Sequence, residues 1–196
     1  MFGKEKSNFC PMKKGWKMLK GFPLQKVFTL LEPGPVLLVT TADGRKKNIM
    51  TISWSFAMSF SPVFGIVTGP WNHSFETLMK TRQCVVAVPG ADLREKVVGI
   101  GMCSGTDTDK FIKFALTAKK AKEVAPPLIG ECLFNMECKL DDYVEKHGIL
   151  ILECVRVWEN TSRTERRALH AVGDGTFLAD GEKFDLHEGM SEKLPF

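Results

Sequence analysis

Three short stretches of this 196-residue chain hold polar side chains at spacings that suit chemistry. The first is Asn48-Ile49-Met50-Thr51-Ile52-Ser53-Trp54. Read as a strand, it puts Asn48, Met50, Ile52 and Trp54 on one face and Ile49, Thr51 and Ser53 on the other. Small polar groups among apolar ones let such a strand offer backbone N–H and C=O groups to a flat heteroaromatic ring. The edge of that ring alternates donors and acceptors, and its face wants apolar contact. An ordinary half-buried strand has the same pattern and is the commoner use of it. The second stretch is Trp71-Asn72-His73-Ser74, at an expected helix start. Free N–H groups and a partial positive charge there suit a phosphate, and a hydroxyl and an imidazole add donors. Plain capping by Ser74 or Asn72 is the simpler reading. The third is Asp107-Thr108-Asp109-Lys110-Phe111. Lys110 falls in a first helical turn, where the dipole disfavours a cation, and this hints at an anionic partner. A solvated surface lysine is the plainer expectation from the pattern.

Other chemistries lack their signatures. There is no GxGxxG after the first strand, no GxxxxGK[ST], no GxSxG and no HExxH. Gly99-Ile100-Gly101 falls late in a helical stretch and is no dinucleotide fingerprint. The four histidines, His73, His147, His170 and His187, are far apart in sequence. The six cysteines make no CxxC pair, and several sit in apolar runs. They read as reduced, mostly buried thiols of a cytoplasmic protein. Cys132 and Cys138 are expected on one side of a strand. No His or third Cys stands at ligand spacing, so core packing is expected there and no metal is assigned.

The elements that position these stretches follow from the apolar pattern and the turn residues. Pro35–Thr41 is β-branched and apolar, Asp43-Gly44 is a tight-turn signal, and a second strand runs from Asn48 to Trp54. Both faces of that strand mix apolar and polar groups, which suits a barrel strand with a ligand or subunit outside. Strands follow at Val63–Thr68, Cys84–Val88, Cys132–Leu140, His147–Trp158, Leu169–Val172 and Thr176–Ala179. Helices are expected over Ser74–Thr81, from a cap at Asp92 to about Met102, and over Lys110–Leu116. Helices inserted between strands, without alternating with each, argue against a doubly wound parallel sheet. They predict a mainly β chain, an antiparallel barrel with helical insertions.

Composition narrows the class further. Fourteen Phe and four Trp are too much apolar surface for a disordered chain. The longest apolar runs are too short to span a bilayer, and no secretory signal stands at the N-terminus. Net charge is +4, but seven of the 27 basic residues and only one of the 23 acidic ones lie in residues 1–26. The basic balance therefore describes an arm, assigned to residues 1–32, and not the domain of residues 33–196. Without a basic face on the domain, nucleic acid is not expected as a partner.

The ordered set of motifs resembles the flavin reductase-like FMN-binding split-barrel family, and within it the flavoredoxin group. The pieces are Val39-Thr40-Thr41, Asn48–Trp54, Gly69-Pro70-Trp71-Asn72-His73-Ser74-Phe75, Cys84–Pro89, Asp109-Lys110-Phe111, His147 before a strand, and Gly173-Asp174-Gly175-Thr176-Phe177. Together they span roughly residues 33–187. The resemblance implies an FMN-binding split β-barrel, a homodimer, and FMN held noncovalently near the subunit interface. Asn48, Ile49, Met50 and Thr51 would edge the ring or ribityl chain, with Trp54 near the flavin. Asn72, His73 and Ser74 would meet the phosphate and Lys110 would add positive charge. His147 and Phe177 would approach the flavin from the same or the other subunit, and His147 is the one side chain assigned a catalytic part. Where many relatives carry an Arg in the phosphate turn, this chain has Trp71-Asn72-His73, and the Arg fork is the better clamp. The implied activity passes electrons from NAD(P)H or a redox partner through FMN to an acceptor. Two alternatives stand beside it, an electron carrier that does not oxidise nicotinamide itself and a split-barrel module for another cofactor.

Overall fold

The computed structural model describes residues 34–44, 46–58 and 60–190. The assignment of residues 1–32 to a basic arm lies outside the described residues. Seven strands form one antiparallel sheet: β1 (Leu37–Asp43), β2 (Lys46–Ile52), β3 (Ser55–Ala57), β4 (Val63–Val67), β5 (Gln83–Val88), β8 (Phe134–Val144) and β9 (Ile149–Glu159). Their order is β2-β1-β5-β8-β9-β4-β3. The outermost strands, β2 and β3, are joined by only Ser53 and Trp54. Two residues reach across opposite edges of a sheet only if the sheet curls back on itself. The expected antiparallel split barrel is what this curl produces.

Each face of the sheet has its own core. Inside the curl, Leu37, Val39, Met50, Ile66, Val86, Cys138, Leu150 and Leu152 meet Leu78 from helix α1 (His73–Thr81). Outside, Leu38, Ile49 and Ala87 meet Val97 and Ile100 of α2 (Arg94–Gly101) and Phe111 of α3 (Lys110–Lys113). The alternation along β2 explains this, since Ile49 points to the helices while Met50 and Ile52 point inward. Two small ribbons complete the molecule. The pair β6 (Ala118–Lys119) and β7 (Leu128–Ile129) lies before β8, and β10 (Leu169–Ala171) pairs with β11 (Phe177–Ala179). A last turn of helix, α4, spans His187–Met190.

Several expectations are corrected. Asp92 caps no helix; it lies in a 3-10 turn, Ala91–Leu93, that precedes α2, and its carboxylate pairs with Arg163. His147 is not in a strand but ends a second 3-10 turn, Glu145–His147, and Gly148 takes the positive φ of 63° that starts β9. Cys132 precedes β8 and packs with the α2 side, whereas Cys138 packs inside the curl, so the two do not share a face. The register shift between Glu137 and Cys138 also breaks simple counting along that strand.

Candidate functional site

A cavity of about 350 Å³ opens between β2, the start of α1 and the α2–α3 connection. Asn48, Met50 and Thr51 of β2 form one wall, and Trp71, Asn72, His73 and Ser74 form the second. The third is Ile100 through Gly105, with Lys110 reaching in from α3. A wider groove continues from it past Lys46, Lys47, Glu76 and Thr106–Asp109, sharing Asn48, His73 and Gly105.

The polar groups of the cavity are arranged in a way capping does not explain. Asn72 takes the N-cap position of α1, but its side chain makes no cap bond and its Nδ2 donates to Thr68 Oγ1 at 2.9 Å. Ser74 is buried inside the first turn, where its Oγ accepts from Asn48 Nδ2 at 2.8 Å. That bond leaves the Ser74 hydroxyl proton free to donate. Asn48 itself is 9 % exposed, and its Oδ1 has no hydrogen-bond partner among the described residues. An orphan buried acceptor costs free energy unless something in the cavity supplies a donor. Gly105 closes over this amide, and a Cβ there would collide with the Asn48 side chain. His73 Nδ1 lies 3.3 Å from Thr106 Oγ1 and ties the helix start to the same loop.

Lys110 reverses the plain expectation of a solvated surface side chain. Asp109 caps α3 by accepting from Ile112 N at 3.1 Å, and this turns Lys110 inward, to 5 % exposure. Its Nζ donates to Ile49 O and Ile100 O, each at 2.9 Å. Burial lowers the Lys110 pKa below its ordinary value, and the attraction of Cys103 and Asp107 only partly offsets it. An ammonium has three donors, so one N–H remains for the cavity. A buried cation satisfied by two neutral carbonyls and facing a cavity is poised for an anionic ligand.

Of the residues the sequence singled out, Asn48, Met50, Thr51, Asn72, His73, Ser74 and Lys110 come together here. Ile49 turns its side chain into the helix-side core and contributes only its carbonyl to Lys110. Trp54, His147 and Phe177 do not line the cavity within one chain. Trp54 and Phe177 are exposed, and His147 is exposed on a turn whose Gly148 packs beside Trp71. Sequence reasoning missed Trp71 as a lining residue and all of Ile100–Gly105. Gly105 carried the only available signal, a glycine in a polar loop before a helix.

Residues 30–176 match the domain family described as flavin reductase like domain. The chain belongs to that family. Among its relatives is an uncharacterized protein of Archaeoglobus fulgidus, 34% identical over 115 residues, which are 57% of this chain and 65% of the relative. The match thus spans just under two thirds of that relative's length. Solved structures share the fold. An FMN-binding domain of a flavin reductases-like enzyme from Shewanella baltica superimposes with a TM-score of 0.71 at 23% identity, covering 84% of this chain and 95% of that one. Flavoredoxin of Desulfovibrio vulgaris gives 0.70 at 23% identity, covering 78% and 90%. No helix among the described residues is long and apolar enough to cross a membrane.

Proposed function

We propose that this chain binds FMN in the cavity between β2 and α1 and acts as an oxidoreductase that passes electrons from NAD(P)H or a redox partner to an acceptor. The observation that carries the reading is the pairing of a buried Lys110 ammonium, hydrogen-bonded to two backbone carbonyls, with the orphan Oδ1 of Asn48 in one cavity. The first asks for an anion and the second for a donor, and FMN offers both. When bound, FMN supplies the two-electron chemistry. The chain's own part is binding and orientation. Ser74 Oγ–H and the N–H groups that open α1 hold the phosphate, with the Lys110 charge supporting it. Asn48 Oδ1 accepts from a hydroxyl or ring N–H, and Met50 and Ile100 exclude water. With Arg absent from the phosphate turn, Lys110 supplies the positive charge and His73 a ring nitrogen for hydrogen bonding.

The functional unit is a homodimer in this proposal. Trp54, Phe56, Phe60 and Trp71 are all exposed in the single chain, with Phe60 73 % exposed. A run of large aromatic rings left in water is the mark of a covered surface. Across such an interface Trp54, His147 or Phe177 of one copy reaches the flavin of the other.

The visible absorption spectrum of the pure protein, desalted in air, tests the reading. A retained flavin band, or a colourless protein that alters the spectrum of added FMN, supports it. A colourless protein that leaves FMN unchanged overturns it. Steady NADH or NADPH oxidation then separates a reductase from a flavoredoxin-type carrier, which transfers electrons without oxidising nicotinamide.

A further inference from the structure

Three cysteines stand in a row across neighbouring strands, away from the flavin cavity. Cys84 of β5 is the register partner of Cys138 of β8, and Cys138 is the register partner of Cys154 of β9. Cys84 and Cys138 are fully buried inside the curl, and Cys154 is partly exposed at its margin. The Cys138 and Cys154 thiols donate only to backbone carbonyls of their own strands, Met136 O and Arg156 O, each at 3.4 Å, so no strong bond ties either sulfur down. Nothing in the proposed flavin chemistry uses these groups.

The two pairings differ in kind. Cys154 N donates to Pro62 O at 2.8 Å, on the side of β9 away from β8. In an antiparallel ladder the N–H and C=O of one residue point the same way, so Cys154 makes no ladder bonds to Cys138. Cys138 and Cys154 are therefore a non-hydrogen-bonded pair, in which opposed Cα atoms lie about 4.5 Å apart and side chains are closest. Leu140 N donates to Arg82 O at 3.0 Å, so the backbone of β8 at that parity faces β5. Cys138 shares the parity, which makes Cys84 and Cys138 the wider, hydrogen-bonded kind of pair. Both spacings lie within the range a disulfide spans, but the first brings the side chains closer and includes Cys154, the one of the three that an oxidant can reach from solvent.

We infer that Cys138 and Cys154 form a two-electron thiol–disulfide couple, with Cys84 left as a thiol. With hydrogen peroxide as oxidant, the partly exposed Cys154 sulfur takes one peroxide oxygen, giving a sulfenic acid and water. The Cys138 sulfur attacks that sulfur, the S–S bond forms, the S–O bond breaks, and the departing oxygen leaves as water with the Cys138 proton. Two thiols and one peroxide become one disulfide and two waters. The Cys154 thiol is pushed well above its ordinary pKa by the neighbouring Cys138 and by burial. Thiolate is scarce at neutral pH, and the pair stays reduced unless oxidant persists.

The test uses the whole protein, incubated with hydrogen peroxide, alkylated under denaturing conditions and mapped by mass spectrometry after proteolysis. The expected product has lost two hydrogens, carries a peptide bridge between Cys138 and Cys154, and regains both thiols with a dithiol reductant. Cys84→Ser should leave that bridge intact, whereas Cys138→Ser and Cys154→Ser should abolish it. A bridge from Cys138 to Cys84, or unbridged Cys138 and Cys154 in folded protein after exhaustive oxidation, would overturn the inference. Should Cys138→Ser fail to fold, Cys154→Ser alone decides, because its position is partly exposed.

Discussion

Lys110 shows how one side chain takes its role from its neighbours. Its ammonium is held by two backbone carbonyls, from β2 and from the end of α2, and it has a donor to spare. Replacement by Met should weaken FMN binding about 10- to 100-fold, the loss expected for one charge-assisted hydrogen bond. Fluorescence titration of FMN measures it. The same lysine gives a signed pH effect without FMN. Its folded pKa lies below the unfolded 10.5, so between the two values the unfolded chain binds more protons. Stability of the apoprotein should therefore rise with pH across that interval, and the rise should vanish in Lys110→Met, as followed by thermal midpoints. Gly105 acts through a neighbour. Gly105→Ala should push the Asn48 amide off Ser74 and reduce FMN retention while leaving both cores packed, read by desalting and near-UV circular dichroism.

At the scale of elements, much of what holds the site was legible. The β2 stretch, the start of α1 and the Asp109-Lys110 junction each announce themselves within a few residues, because strand alternation and helix boundaries are local properties. The burial of Lys110 was not legible, since it depends on carbonyls 61 and 10 residues away in sequence. Nor was the wall from Met102 to Gly105, which has no period and is recruited only when α2 packs on β2. Strand β3 is three residues long and follows a bend, too short for a pattern. Glu137 is a further case of distance at work. It is fully buried in β8, where its carboxylate accepts from the N–H groups of Lys122, Glu123 and Val124 and from Trp158 Nε1. Burial alone would raise its pKa, but the Trp158 indole and those backbone donors outweigh it and hold the pKa below the usual value. The stabilisation is present above the unfolded pKa and is lost as pH falls through the lower folded one. Glu137→Gln should cost about 2 kcal/mol at neutral pH, with less of the acid-side loss, as checked by urea melts at several pH values.

At the scale of the whole molecule, the single chain leaves aromatic surface on β3 and its flanks that a second copy would cover. If the proposed homodimer forms through this surface, Phe60→Ser should shift the protein toward monomer in sedimentation velocity. Trp54→Ala should weaken FMN retention although Trp54 does not line the cavity of its own chain. Unchanged retention would remove Trp54 from the site. If the loss in the Phe60 variant matches that in the Trp54 variant, the aromatic contact with flavin is made across the dimer.

The strand order also sets a timetable for synthesis. Strands β3 and β4 emerge early and pair with each other, yet the other edge of β4 finds its neighbour only in β9, at Ile149–Glu159. Until that segment leaves the ribosome, β4 presents an unpaired edge beside exposed aromatics, the condition under which nascent chains stick to one another. A stalled chain ending before Ile149 should therefore recruit chaperones, and release from them should coincide with the arrival of β9.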